Sequence, residues 1–122
     1  MIERLKDKVN DDPALVRRGR FLTTTLLIEV GATQWLVDIV AGRITSIAQE
    51  PFVMPSWSFA LRAPHEEWQN FWDANPRPGS NDLMALIKRR VLKVEGDVGV
   101  FMANLRYFKE SLQKLRAERA AA

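Results

Sequence analysis

The chain has 122 residues, 47% of them apolar, with 18 Lys and Arg against 15 Asp and Glu for a formal charge of +3, and it contains no cysteine. This length predicts one domain, residues 1–122, able to build a core without metals or disulfides; the missing thiols exclude a disulfide framework, a thiolate nucleophile and a Cys-ligated zinc, and make a reducing compartment the default. The small, interspersed basic excess does not demand nucleic acid as a partner, and the charged start Met1–Asp7 and the want of any membrane-length apolar run read as a cytoplasmic protein.

Ile2, Leu5, Val9, Leu15 and Val16 predict an amino-terminal helix in one or two pieces, interrupted at Asp11-Asp12-Pro13 and ended by Gly19. From Phe21 to Val30 apolar residues alternate, with Leu22, Thr24, Leu26, Ile28 and Val30 on the drier face of a strand. Gly31 to Gln34 turns the chain into a second strand, Trp35 to Val40, and Ala41-Gly42 turns it again into a third, Arg43 to Gln49. Closing the first loop at Val30 and Trp35 pairs Ile28 with Val37 and Leu26 with Ile39. Closing the second at Val40 and Arg43 pairs Ile39 with Ile44 and Val37 with Ser46.

Two prolines make Glu50 to Pro55 a crossover, after which Trp57 to Arg62 alternates as a fourth strand. Pro64 opens a helix running through Trp72, Asn75 to Asn81 is loop, and Asn81 or Asp82 caps a helix bearing Leu83, Met84, Leu86 and Ile87. A short strand at Leu92 to Val94 then reaches Gly96, where the chain bends, and Asp97 caps one long unbroken helix. Its face would hold Val98, Phe101, Met102, Leu105, Phe108, Leu112 and Leu115. The order predicts an α+β fold, an open sheet with most helices on one side.

Catalytic chemistry finds little support. His65-Glu66-Glu67-Trp68-Gln69 has Gln where a zinc-protease helix needs its second His, and the chain has one His, so neither a metal nor a cofactor is expected. Glu29 and Asp38 share the wetter sheet face as diagonal neighbours in the expected register, an arrangement more typical of a solvated face than of a catalytic dyad. The basic clusters Arg17-Arg18-Arg20, Lys88-Arg89-Arg90 and Arg106 to Arg119 read as solvated helix faces, with transient contact to an anionic membrane surface as the alternative. What remains is apolar. Leu26, Ile28, Val37, Ile39, Phe59 and Leu61 on the sheet would face Met84, Ile87, Phe101, Met102 and Leu105 on the helices. Periodicity reports burial and cannot separate a filled core from a cavity holding a ligand.

The run Leu92-Lys93-Val94-Glu95-Gly96-Asp97, preceded by Asp82 to Ile87 and followed by the last helix, resembles the carboxy-terminal half of the sterol carrier protein type-2 family. The passage Trp35 to Gly42 to Ile47, then Ser58 to Pro64 and Glu66-Glu67-Trp68, extends that resemblance over most of the chain. The resemblance implies a five-stranded sheet, a three-strand meander plus two further strands, and an apolar tunnel between sheet and helices. It also implies non-catalytic binding or transfer of a sterol, fatty acyl or polyprenyl lipid by the apolar residues named above. An accessory subunit presenting a lipid-like substrate to partner enzymes, docking through the carboxy-terminal helix, is the second reading; an enzyme on the same scaffold is the third. Ala120-Ala121-Ala122 is not the Ser-Lys-Leu address that some members of that family carry.

Overall fold

The computed structural model describes residues 2–52 and 56–116. A short 3-10 turn, Ile2–Arg4, leads into α1 (Leu5–Asn10) and α2 (Pro13–Arg18). Asp12 separates the two helices: its Oδ1 accepts from Leu15 N at 3.2 Å while Pro13 occupies the first helical position, where it needs no N–H partner. The strands β1 (Thr24–Val30), β2 (Thr33–Val40) and β3 (Arg43–Gln49) form the expected meander, followed by β4 (Phe59–Ala63) and α3 (His65–Phe71). Then come α4 (Leu83–Lys88), β5 (Lys93–Gly96), α5 (Val98–Ala103) and α6 (Leu105–Gln113). The five strands make one open mixed sheet in the order β3-β2-β1-β4-β5, with β1 and β4 parallel and every other neighbour antiparallel.

Pairing differs in detail from the expected register. The first hairpin closes on Gly31-Ala32 alone, so Ile28 pairs with Trp35 and Leu26 with Val37, two residues from the expected partners. An even slip leaves every side chain on its own face, which is why the apolar surface survives the error. In the second hairpin Ala41 and Gly42 both have positive φ, 50° and 82°, as a two-residue turn between twisted strands requires. Ile39 pairs with Ile44 as expected, but a bulge between Asp38 and Ile39 places Val37 opposite Ile47 instead of Ser46. The bulge turns Ile47 toward the core, against which it packs half-buried.

Two ends and one helix also differ. Phe21 is 89% exposed and outside β1, and Trp57 precedes β4 instead of opening it. Within the crossover the Glu50–Pro51 peptide is cis, and Val53, Met54 and Pro55 lie outside the described residues. The expected single long helix is two helices. Asn104 closes α5 and opens α6 with φ −120° and ψ 25°, and its Nδ2 donates to Val100 O at 3.0 Å. Beyond the break α6 buries Tyr107, Phe108, Ser111 and Leu112, and Phe101, Phe108, Leu112 and Leu115 of the expected face are buried while Val98 and Met102 are exposed. The cap at Asp97 is as expected, its Oδ1 accepting from Val100 N at 3.2 Å.

The core lies between the helices and the sheet face bearing Leu26, Ile28, Val37, Ile39, Phe59 and Leu61. Phe59 meets Phe101 at 5.6 Å and Phe108 at 5.0 Å between ring centroids, and Trp68 stacks on Trp72 at 5.1 Å. The indole N–H groups hold α3 in place: Trp68 donates to Glu29 O at 2.8 Å and Trp72 to Leu112 O at 3.0 Å. The opposite sheet face is polar at its borders but apolar at its centre, where Leu27 and Ala60 are buried side by side.

Candidate ligand site

A small apolar void sits between α1, α6 and the β1–β3 meander and measures about 10 Å³. It is lined by Leu5 from α1, by Leu26, Ile28, Val37, Ile39 and Ile44 from the sheet, and by Tyr107, Phe108, Ser111 and Leu112 from α6. No lining side chain carries a charge. The space holds about a single water molecule, so the implied tunnel is not open here; side chains fill the layer between helices and sheet.

Two of the lining residues are polar, and they differ in their state. Tyr107 donates its hydroxyl to Gly42 O at 2.7 Å, fastening α6 to the β2–β3 turn. Burial pushes its phenol up to about 12, because the phenolate would be stripped of water. Ser111 is 4% exposed and its Oγ has no hydrogen-bond partner; it lies near the Tyr107 phenol without reaching ordinary hydrogen-bond geometry. An unpaired hydroxyl inside an apolar wall is unfavourable in the empty protein.

Of the site residues expected from the sequence, the structure brings Leu26, Ile28, Val37 and Ile39 to the void. Phe59, Leu61 and Phe101 are buried in the adjoining core, and Ile87 and Leu105 pack against it half-buried. Met84 and Met102 are 37% and 47% exposed, on helix faces turned toward solvent. Leu5, Ile44, Tyr107, Phe108, Ser111 and Leu112 line the void without having been among the expected site residues. Phe108 and Leu112 belong to the apolar face expected of the last helix, and Tyr107 and Ser111 widen it at the same four-residue spacing.

The charged groups lie elsewhere. Asp38 accepts from Ser46 Oγ and Thr25 Oγ1, each at 2.6 Å, and these bonds hold its carboxyl below the usual range. Glu29 instead meets Arg62 at 3.0 Å, and Arg62 also reaches Glu95 at 2.9 Å. Glu29 and Asp38 are thus not neighbours, a correction that follows from the tighter first hairpin, which pairs Glu29 with Gln34 and Asp38 with Thr25. His65 is exposed, its Nε2 3.3 Å from Gln69 Nε2. The basic clusters are largely engaged: Arg18 with Glu110, Lys114 with Asp12 at 2.6 Å, Lys109 with Asp82 at 2.8 Å and Arg89 with Glu67 at 3.2 Å. Arg119 lies outside the described residues.

Surface hollows larger than the void include a polar one of about 240 Å³ beside Glu66, Asn70, Asp73 and Arg77 and two others. One, of about 460 Å³, is lined by charged residues including Glu29, Arg62, Arg90, Lys93 and Glu95. The other, of about 220 Å³, lies at the end of the β1–β2 hairpin between Ile2, Val30, Trp35 and Trp72. Among the described residues no helix is long and apolar enough to cross a membrane.

No family model and no curated protein matches the sequence. Solved structures do resemble the fold. Sterol carrier protein 2 superposes with a TM-score of 0.75 at 14% identity, over 94% of this chain and 92% of that one. The SCP2 domain of UbiJ, a ubiquinone synthesis protein, gives 0.63 at 22% identity, over 98% and 91%. The ligand-free sterol carrier protein 2 of Yarrowia lipolytica gives 0.58 at 14% identity, over 93% and 88%. Shared over nearly the whole length at low identity, the likeness is one of architecture, and the chain has the sterol carrier protein 2 fold.

Proposed function

We propose that the protein is a non-catalytic lipid-binding domain of the cytoplasm, residues 1–122 acting as one unit, that holds a sterol, fatty acyl or polyprenyl molecule between its helices and its sheet. The observation carrying this reading is the void on the core face, walled by eight apolar residues and two hydroxyls with no charge among them. The names of the similar structures, sterol carriers and a ubiquinone synthesis protein, support it. At about 10 Å³ the void is a seed and not a berth, so α6 and α1 must move off the sheet to admit a chain. Burying ten methylenes would supply about 8 kcal/mol before the costs of association and of that movement are subtracted. The ties to be broken around α6 include partly solvated ion pairs, Arg18–Glu110, Lys114–Asp12 and Lys109–Asp82, which solvent screens.

Native mass spectrometry of freshly purified protein, joined to a lipid titration followed by tryptophan fluorescence and melting temperature, tests the proposal. A saturable response with a raised melting temperature is expected, as for any ligand selective for the folded state. Ile39→Phe, which intrudes on the void, should blunt that response, with its own melting scored separately because overpacking alone is destabilising. Protein that comes off the column lipid-free and answers no sterol, fatty acyl or polyprenyl ligand would sink the reading.

The exposure of Val98, Met102 and Met84 favours a second reading, an accessory subunit that presents a lipid-like substrate to partner enzymes. Under it, a Val98→Lys/Met102→Lys variant keeps the ligand response and loses co-elution with a larger assembly.

A further inference from the structure

Resting on the lipid-binding reading, we infer that Ser111 is the hydrogen-bonding point for the ligand, and that the ligand is a neutral lipid bearing a hydroxyl or carbonyl oxygen, in preference to an ionised one. The inference begins with a residue that local structure does not explain. Ser111 stands one turn after Tyr107 on the buried stripe of α6, 4% exposed, and its Oγ meets no partner. A helical serine commonly donates back to the carbonyl one turn earlier, and at a buried position without that bond alanine would form the helix better and leave nothing unpaired. The hydroxyl borders the apolar void, and the other hydroxyl on that wall is engaged, Tyr107 donating to Gly42 O. Ser111 can both donate and accept, which suits a single neutral oxygen of either kind.

The surroundings select against a charged head. No cation lines the void. The two lysines of the same helical segment are occupied outside it, Lys109 by Asp82 and Lys114 by Asp12. A carboxylate or phosphate brought to Ser111 would lose its water for one hydroxyl donor, a poor exchange in an apolar wall. The same desolvation keeps the neighbouring Tyr107 phenol protonated to about 12.

Three ligands of equal length separate the possibilities: decanol, chlorodecane and, at neutral pH, decanoate, each titrated against the parent, Ser111→Ala and Ser111→Cys. Ser111→Ala is expected to weaken decanol roughly 5-fold and to leave chlorodecane unchanged, the scale of one neutral hydrogen bond. Ser111→Cys, nearly the same shape with a weaker donor, falls between. The melting temperature of ligand-free Ser111→Ala should not drop, since the change removes an unpaired group. Equal changes for decanol and chlorodecane, tighter binding of decanoate than of decanol by the parent, or a ligand-free Ser111→Ala that melts lower because a trapped water needed the hydroxyl, would each overturn the inference. Saturable binding indifferent to Ser111 leaves the lipid-binding reading standing and removes only this one; no binding by the parent removes both.

Discussion

Tyr107, the chain's one tyrosine, closes a contact that depends on two glycines. Its hydroxyl donates to Gly42 O, while a Cβ on Gly19 would come within 2.6 Å of its ring and a Cβ on Gly42 within 2.8 Å of Gly19 C. Gly42 also has φ +82°, a conformation that side chains resist, so Gly42→Ala is expected to destabilise by more than about 2 kcal/mol in denaturant unfolding. Tyr107→Phe leaves the Gly42 carbonyl without its donor and should cost about 1–2 kcal/mol at neutral pH. The phenol also sets an alkaline limit. Unfolded, it ionises near ~10; folded, at about 12. Its contribution is therefore complete below ~10 and is lost as pH rises through the folded value, the unfolded state ionising first. The parent should lose stability between about pH 10 and 12 in step with tyrosinate absorbance, and Tyr107→Phe should lack that component of the loss.

At the scale of elements, the junction of β5, α5 and α6 decides which residues the last helices bury. Gly96 has φ +90° and Asp97 caps α5, so Asp97→Ala should cost on the order of 1 kcal/mol in thermal or chemical unfolding. Parent-like unfolding of that variant would count against the cap. The break at Asn104 gives a sharper contrast. Leu112 is buried beside the void, whereas Leu105 is half-buried at the start of α6. Leu112→Ala is expected to lose about 2–5 kcal/mol, Leu105→Ala clearly less, and exposed Met102→Ala almost nothing. Both residues lie on α6, seven positions apart, so equal losses would count against the difference in their burial.

Across the whole molecule, carboxylates fasten helices and strands to one another, and Asp12, Asp38 and Asp82 are among those that sit below their ordinary range. Hydrogen bonding to Lys114 lowers Asp12, and bonds from Ser46 and Thr25 lower Asp38. Burial alone would raise Asp82, but the Lys109 bond with the Met84 amide outweighs it and the net direction is down. Groups depressed in the folded state contribute above their unfolded values near ~3.9 and lose that contribution as pH falls through the folded ones. Melting temperature should therefore hold from neutral pH to about pH 5 and fall below about pH 4, with Asp82→Asn showing a shallower fall. Added salt should weaken the half-buried pairs Lys114–Asp12 and Lys109–Asp82 while leaving the apolar core unaffected.

The order of elements as far as α5 and the inward faces of β1, β2 and β4 were readable in the residues themselves. Alternation with period two marks Leu26, Ile28, Val37 and Ile39 as core whatever the register, and Asp12, Asp82 and Asp97 stand where helices begin. Pairing partners were less readable. The two-residue closure at Gly31-Ala32 and the bulge after Asp38 depend on how the strands twist together, and the parallel seating of β4 beside β1 joins segments that no local pattern links. Asn104 looks like any polar residue on a helix, so the break between α5 and α6 is settled by packing. The void is the clearest case. Hydrophobic periodicity tells which side chains leave water, but the space left between two layers is the small difference between large packed volumes, and only the tertiary structure sets it at about 10 Å³ with an unpaired Ser111 hydroxyl on its wall.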